Sequence, residues 1–221
     1  MTQEQFYQAL VIKLNENATT DKISIDKARA CVLGNNTQNK LIEVFLDRKF
    51  EDDIRYIQKI LVTDLLISSS NTFKDYTEFI LPKNYFDFSN LHILASKGVC
   101  ENKRMTCEEI KDDDKNHILD NAYLKPSFKH REAPFNLASD KIILYTADDF
   151  TTDSAILSYY RYPIQMGLID EYDPESKFNN NILEFDDKFM NRVISLCASE
   201  FLLNTDDQKF QAEKQNAIIK N

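Results

Sequence analysis

The sequence predicts an α+β protein, a helical bundle into which a small antiparallel β block is inserted. Three features of the chain predict this fold class: apolar stripes at helical spacing in the first third, short aromatic and β-branched runs in the middle, and an amphipathic segment near the end. The last segment buries its apolar stripe most simply against the first helices, so it is expected to close the bundle.

Residues 1–71 are predicted to be the N-terminal helices of the bundle. Thr2, followed three residues later by Gln5, is typical of a capping box that starts a helix. Gly34, followed by two asparagines, indicates a stop or a kink in the second helical region. The predicted helices cover 2–15, 24–33, 37–48 and 51–69, the last of them from apolar residues at i, i+3, i+6 and i+7.

Residues 72–163 are predicted to form the inserted β block. Aromatic and β-branched runs between polar turns are typical of a small antiparallel sheet. The predicted strands cover 76–81, 91–96, 127–131, 141–146 and 155–162. The polar stretch 97–124 is predicted to hold a short helix over 106–111, where Thr106 precedes Glu109 as in a capping box.

Residues 164–205 are predicted to be a linker and the helix that closes the bundle. The linker over 164–183 is polar, and the helix over 186–203 places apolar residues on one face. Residues 206–221 are predicted to be a polar, weakly helical C-terminal tail.

Composition argues against several classes of function. The net charge is −9, and residues 164–221 carry −5 of it, so the chain lacks the basic surface of a tight nucleic-acid binder. Only 3 of the 221 residues are glycine, which leaves no glycine-rich loop for cradling phosphate. Four dispersed cysteines, no signal-peptide pattern and no long apolar run predict a protein made in a reducing cytoplasm, with no membrane span.

No pattern of chemistry-bearing residues predicts an enzyme, a cofactor or a metal. The three histidines lie in no recognisable nucleophile or triad context. Six residues separate Cys100 from Cys107, a wider spacing than the tight knuckle of a structural zinc site. Asp112–Asp114 lacks the alternating ligands and the glycine of a calcium loop. We therefore predict no catalytic residue, no bound cofactor and no metal ion.

Tyrosines at the end of the last predicted strand are candidate interface residues. Tyr159, Tyr160 and Tyr162, with Arg161, place large amphipathic side chains on both faces of that strand. Tyr and Arg often carry the energy of protein–protein contacts, and an aromatic sheet face packed on its own bundle is the other interpretation. The tail, which would order on contact with a partner, adds the apolar candidates Phe210, Ile218 and Ile219.

Five local patterns follow one another along residues 75–205: Phe79–Tyr85 with its Leu-Pro turn, Lys125–Phe128, Ile142–Tyr145, Tyr159–Pro163 at a strand end, and Glu184–Phe189 at the start of the closing helix. In this order they resemble the patterns of bacteriophage head-to-tail connector (adaptor) proteins. The segment Asn84–Ser89 and the low-glycine, asparagine-rich composition resemble proteins of the crAss-like phages of gut bacteria.

The resemblance implies a non-enzymatic virion protein of the connector region, made in the cytoplasm of the host bacterium. It implies a homo-oligomer, a dodecameric ring that binds the portal protein, extends the DNA channel and presents a platform to a neighbouring ring or tail protein. Viral DNA would pass through the lumen without specific binding, and no membrane would be involved.

Two other classes of function remain open on the residues alone. A protein–protein interaction module, viral or not, shares every physical feature above and lacks only ring assembly. An enzyme of unfamiliar type needs a concave cluster of carboxylates with perturbed pKa values, which sequence does not reveal.

Overall fold

A computed structural model describes residues 1–16, 22–48, 51–170, 173, 176–179 and 182–219, without the side chains of 48, 51–53 and 204–219. The chain divides into two compact units. The helical unit comprises Met1–Lys59 and Pro163–Asn221, and the barrel unit comprises Ile60–Tyr162.

The described residues hold about as much strand as helix. The helices are α1 (Gln3–Asn15), α2 (Lys27–Arg48), α3 (Glu51–Ile57), α4 (Lys115–Asp120) and α5 (Asp187–Ile219), with 3-10 turns at Gln58–Ile60 and Asp112–Asp114. The strands are β1 (Leu61–Thr72), β2 (Tyr76–Ile80), β3 (Tyr85–Lys97), β4 (Cys100–Glu109), β5 (Glu132–Ala138), β6 (Lys141–Tyr145) and β7 (Thr151–Arg161).

Helix α1 begins at a capping box, which confirms the prediction for this segment. The backbone N–H of Gln5 donates to Thr2 Oγ1 at 3.2 Å, and the backbone N–H of Thr2 donates to Gln5 Oε1 at 2.8 Å. These bonds satisfy two donors that lack a partner within the helix. The buried side chains of Phe6, Leu10 and Leu14 then fix one face of α1 in the helical unit, where α1 packs on α5.

Helix α2 is continuous through Gly34, so the predicted break between 24–33 and 37–48 is wrong. Glycine at this position permits close packing: a Cβ would lie against Met166 Cε and 2.9 Å from Phe6 Cζ. Glycine inside a helix costs about 1 kcal/mol relative to alanine. The close approach of two buried neighbours offsets that cost.

Residues 163–170 belong to the helical unit and pack on α2, although 164–183 were predicted to be a polar linker. Asn35 Nδ2 donates to Met166 O at 2.9 Å, and the Met166 N–H donates to Asn35 Oδ1 at 2.8 Å. Met166 and Leu168 are buried. A paired side-chain amide on α2 therefore holds this extended segment in place.

The barrel unit is a closed seven-stranded β-barrel. Its strands follow the order β1-β2-β6-β5-β4-β3-β7, and β7 pairs back onto β1. Neighbouring strands are antiparallel except β4 and β5, which are parallel. The predicted helical bundle with a small inserted β block is therefore wrong, because the β part is a complete barrel with its own core. Closure removes the free sheet edges that an open block would expose.

Side chains fill the interior of the barrel. Along β7 the buried positions alternate as Ala155, Leu157 and Tyr159, which is the two-residue period of a strand with one face inward. The other strands contribute Phe79, Leu91, Ile93, Met105, Phe135, Ile142 and Leu144 to the same core. These residues stabilise the barrel through the apolar area that they remove from water.

A β-bulge in β1 explains why a helix over 51–69 is wrong from residue 61 onward. Asp64 has a positive φ of 53°, and β1 gains one residue relative to β7 between Val62 and Leu65. Val62, Leu65 and Ile67 all pack against the barrel core as a result. Their spacing of three and then two residues imitates the apolar pattern of a helix.

Two further predictions fail where β4 meets β5. Residues 106–109, inside the predicted helix 106–111, pair in parallel with Glu132–Phe135. Residues 127–131, predicted as a strand, form a turn closed by backbone bonds between Ser127 and Glu132. Parallel pairing joins segments distant in sequence, so the local pattern does not reveal it. The strands predicted over 76–81, 91–96, 141–146 and 155–162 are confirmed within β2, β3, β6 and β7.

Candidate interaction surfaces

Tyr159 and Tyr160, two of the predicted interface residues, are both buried. Tyr159 Oη donates to Asn84 Oδ1 at 2.9 Å, and its ring stacks on that of Tyr85 with 5.8 Å between centroids. Burial, assisted by the charge of Asp87, raises the pKa of Tyr160. Internal packing therefore explains these two aromatic residues, and their contact with a partner stays a prediction.

Arg161 and Tyr162 are the more accessible residues of the same strand end. Tyr162 is 47% exposed, and its ring packs edge-on against Phe86 with 4.7 Å between centroids. Its backbone N–H donates to Asn84 O at 2.8 Å, while Arg161 Nη1 donates to Tyr162 O at 3.1 Å. These contacts hold Tyr162 in one orientation, which suits a residue that binds a partner.

Helix α5 extends through the predicted tail as far as Ile219. Phe210, Ile218 and Ile219, the predicted contact residues of that tail, belong to this helix by their backbone, but their side chains lie outside the described residues. No helix among the described residues is both long and apolar enough to cross a membrane.

An apolar groove runs between α2 and α5 on the helical unit. Its volume is about 370 Å³, and its lining comprises Thr37, Lys40, Leu41, Val44, Leu196, Ser199, Glu200 and Leu203. Leu196 and Leu203 are 46% and 69% exposed. Lys40 Nζ lies 2.6 Å from Glu200 Oε1, and this hydrogen bond raises the pKa of Lys40 and lowers that of Glu200. The groove is thus an exposed apolar surface crossed by one ion pair.

A second depression, of about 310 Å³, lies at the barrel end where three turns meet. Its lining comprises Thr72, Phe73, Lys74, Thr77, Ser96, Lys97, Gly98, Thr146, Asp148, Asp149, Phe150 and Thr151. Lys74 pairs with Asp148 at 3.4 Å, and Lys97 pairs with Asp149. The bond from Lys97, followed by that from the backbone N–H of Phe128, lowers the pKa of Asp149. These four charges therefore form two ion pairs at this end of the barrel.

Three of the four cysteines are buried or partly buried. Burial raises the pKa of Cys31 and Cys197 to about 11 and that of Cys107 to about 12, so these thiols stay protonated at neutral pH. His92 faces Asn90, with Nε2 3.2 Å from Nδ2. Within the described residues, no three side chains of His, Cys, Asp or Glu are placed to hold a metal ion.

The groove between α2 and α5 is the surface that sequence reasoning missed, because the apolar residues of both helices were assigned to the core. A signal was present in apolar neighbours such as Leu41 with Ile42 and Leu196 with Cys197. Adjacent helical positions point about 100° apart, so such pairs widen the apolar stripe beyond one buried face. No protein-family model and no curated protein matches the chain.

Proposed function

We propose that this chain is a non-enzymatic structural protein of a phage head-to-tail connector. Copies of it form a dodecameric ring that binds the portal protein and extends the DNA channel toward the tail. The observation that carries the proposal is the exposed apolar groove between α2 and α5. Burial of the exposed Leu196 and Leu203 against a partner would remove apolar area from water. The ordered motifs from Phe79 to Phe189 resemble those of connectors, and this resemblance favours a connector ring as the assembly.

Two unlike surfaces on one subunit support a ring, because head-to-tail contacts join different patches. A second apolar depression of the helical unit is lined by Ala28, Cys31, Val32, Asn35 and residues 165–168. Val32 is 60% exposed and Val44, in the groove, is 38% exposed. Val32 and Val44 are twelve residues apart in α2, so they lie about 120° apart around the helix axis. One rigid helix therefore carries both patches in a fixed relation.

The test is negative-stain imaging of the chain co-expressed with the portal protein of the same genome. The wild-type chain is expected to add a stacked ring to the portal. Val44→Glu/Leu196→Glu, which places two charges in the groove, is expected to fold by circular dichroism and to leave the portal bare. Asn191→Glu adds a charge at an exposed position on another side of α5 and is expected to retain the ring.

A portal left bare by the wild-type chain would overturn this proposal. The alternative function, a protein–protein interaction module without enzymatic activity or ring assembly, would then account best for the exposed groove. A ring that still forms with the Val44→Glu/Leu196→Glu variant would show that the groove does not mediate the contact.

A further inference from the structure

Charge is unevenly distributed over the barrel unit. Residues 97–104 and 125–131 hold six Lys or Arg side chains and one carboxylate, in a chain whose net charge is −9. The fold brings the two segments together: Lys103 Nζ donates to Phe128 O at 2.8 Å, and the Thr106 N–H donates to Arg131 O at 3.0 Å. The six cations of these two segments are here named the basic belt: Lys97, Lys103, Arg104, Lys125, Lys129 and Arg131.

Four cations of the basic belt remain available to a partner. Lys97 pairs with Asp149, and Lys103 lies 4.4 Å above the ring of Phe128. The other four are exposed, and none of them forms an ion pair with another described residue: Arg104, Lys125, Lys129 and Arg131. Unpaired cations gathered on an acidic protein favour a negatively charged partner.

Two apolar side chains close in sequence to residues of the basic belt are almost fully exposed. Val99, at the tip of the β3–β4 hairpin, is 99% exposed, and Tyr123, two residues before Lys125, is 93% exposed. Asn121 orders the loop: its Oδ1 accepts from the Tyr123 N–H at 2.9 Å, and its carbonyl accepts from the Lys125 N–H at 3.0 Å. A duplex phosphate backbone offers no apolar counterpart to a valine and a tyrosine, whereas a protein surface does.

The same barrel unit exposes an acidic segment, Glu108–Asp114, which begins in the last two residues of β4 and continues past its end. It holds five exposed carboxylates, and none of them forms an ion pair with another described residue: Glu108, Glu109, Asp112, Asp113 and Asp114. A strand as long as β4 spans about 30 Å. Lys97 and Lys103, at the hairpin end of β4, are therefore well separated from Asp112–Asp114, whereas Arg131 lies beside Thr106, two residues before Glu108.

We propose that the basic belt binds the acidic segment Glu108–Asp114 of a second copy of this chain. The inference rests on the proposed ring and names one contact between its neighbouring subunits. Five carboxylates that form no ion pair with another described residue complement four cations of which the same is true, although Lys97 and, to a smaller extent, Lys125 lower the pKa of Asp149. The exposed Val99 and Tyr123 add apolar area to the contact. The two surfaces are different, so each subunit retains one free surface after pairing, and repeated contacts close a ring.

Two charge-reversal variants of the full chain test this contact. Lys129→Glu/Arg131→Glu makes the belt negative, and Asp112→Lys/Asp113→Lys makes the acidic segment positive. Each variant alone sets like charges against each other, so sedimentation velocity at low salt is expected to show association weakened at least about tenfold. An equal mixture of the two variants restores opposite charges and is expected to associate as the wild type does.

A matched control and a structural readout accompany the test. Lys59→Glu/Lys83→Glu makes the same change in net charge at exposed positions outside the belt and is expected to associate like the wild type. Zero-length cross-linking between isotope-labelled and unlabelled wild-type copies is expected to join Lys125 or Lys129 to Asp112–Asp114. Circular dichroism confirms that every variant is folded.

Failure of this contact is distinguishable from failure of the proposed function. Wild-type association by either reversal variant alone, a mixture that stays monomeric, or a wild-type chain that does not associate at low salt would overturn the contact, even if the portal gains its ring. Belt-dependent binding of duplex DNA without self-association would assign the belt to nucleic acid and overturn it too. Mixture-restored association beside a bare portal would support the contact and overturn the portal role.

Discussion

Lys141 Nζ lies 2.6 Å from Glu78 Oε1, and the pair joins the neighbouring barrel strands β6 and β2. Asn71 on β1 donates its Nδ2 to the other oxygen of Glu78 at 3.0 Å. A carboxylate with only 8% exposure is therefore bonded from both flanking strands. The hydrogen bond from Lys141 lowers the pKa of Glu78 and raises that of Lys141. One carboxylate thus ties three adjacent strands of the closed sheet.

This arrangement predicts that the barrel loses stability in acid. The pKa of Glu78 is lower in the folded chain than its ordinary value of 4.5, so its contribution is present above 4.5 and is lost as pH falls through the folded value. Glu78→Gln is expected to be less stable than the wild type at neutral pH, with the difference shrinking in acid. Urea denaturation across this range measures the effect, and the exposed Glu101→Gln serves as control. A difference that stays constant with pH would contradict the prediction.

Close packing around Gly34 predicts a strong size limit at this position. Gly34→Leu adds a good helix former, yet its side chain collides with Met166 and Phe6. Overpacking of this kind costs about 1–3 kcal/mol, so a lower urea midpoint is expected. Gly167→Ala is the matched control, because a Cβ there meets nothing within 4 Å, and its stability is expected to match the wild type within about 1 kcal/mol. Equal midpoints for the two variants would refute the packing account.

The capping box of α1 predicts a measurable loss when its acceptor is removed. Thr2→Ala deletes the oxygen that binds the Gln5 N–H and leaves that donor without its partner. Loss of such a cap costs about 0.5–2 kcal/mol. Thr2→Ser keeps the oxygen and is expected to retain most of the stability. Thermal unfolding of the two variants beside the wild type tests whether the hydroxyl, rather than the methyl group, is responsible.

Local signals predicted much of the secondary structure but not the closure of the sheet. The cap at Thr2 and the alternating apolar residues of β6 and β7 depend on neighbours in sequence, and those elements were predicted correctly. The bulge at Asp64 changes the apolar spacing of β1 in a way that only pairing with β7 explains. The parallel β4–β5 pair likewise depends on a distant segment. The helices predicted over 51–69 and 106–111 overlap strands β1 and β4, so the prediction had too few strands to close a barrel.

The candidate surfaces show the same division between local and distant information. Sequence identified Tyr159 and Tyr160 as amphipathic residues, but their burial depends on Asn84 and Tyr85, far away along the chain. The basic belt could not be seen in the net charge of −9, since its cations come from two segments that meet only in the fold. Residue types indicated which side chains could take part in a contact, but tertiary contacts determine which of those side chains are accessible.

Phe189 is buried and Leu196 is partly exposed on α5, so replacing each by alanine is expected to have opposite effects on stability and on docking. Phe189 is fully buried, and its ring lies 5.9 Å from that of Phe45 and 4.3 Å from that of Phe185. Phe189→Ala leaves a cavity and is expected to cost about 3–5 kcal/mol in urea denaturation. Leu196, in the α2–α5 groove, is 46% exposed, so Leu196→Ala is expected to change stability by only about 0.5 kcal/mol.

If the groove binds a neighbouring subunit, Leu196→Ala is expected to weaken docking on the portal more than Phe189→Ala does. Leu196→Ala removes apolar area from the contact while the fold stays intact, so fewer portals are expected to carry a ring at equal protein concentration. Phe189→Ala, assayed at a temperature where it remains folded, keeps the groove leucines and is expected to decorate portals more fully than Leu196→Ala. The fraction of decorated portals in negative-stain images gives both values. A large stability loss in Leu196→Ala would instead show that its side chain belongs to the core of the helical unit.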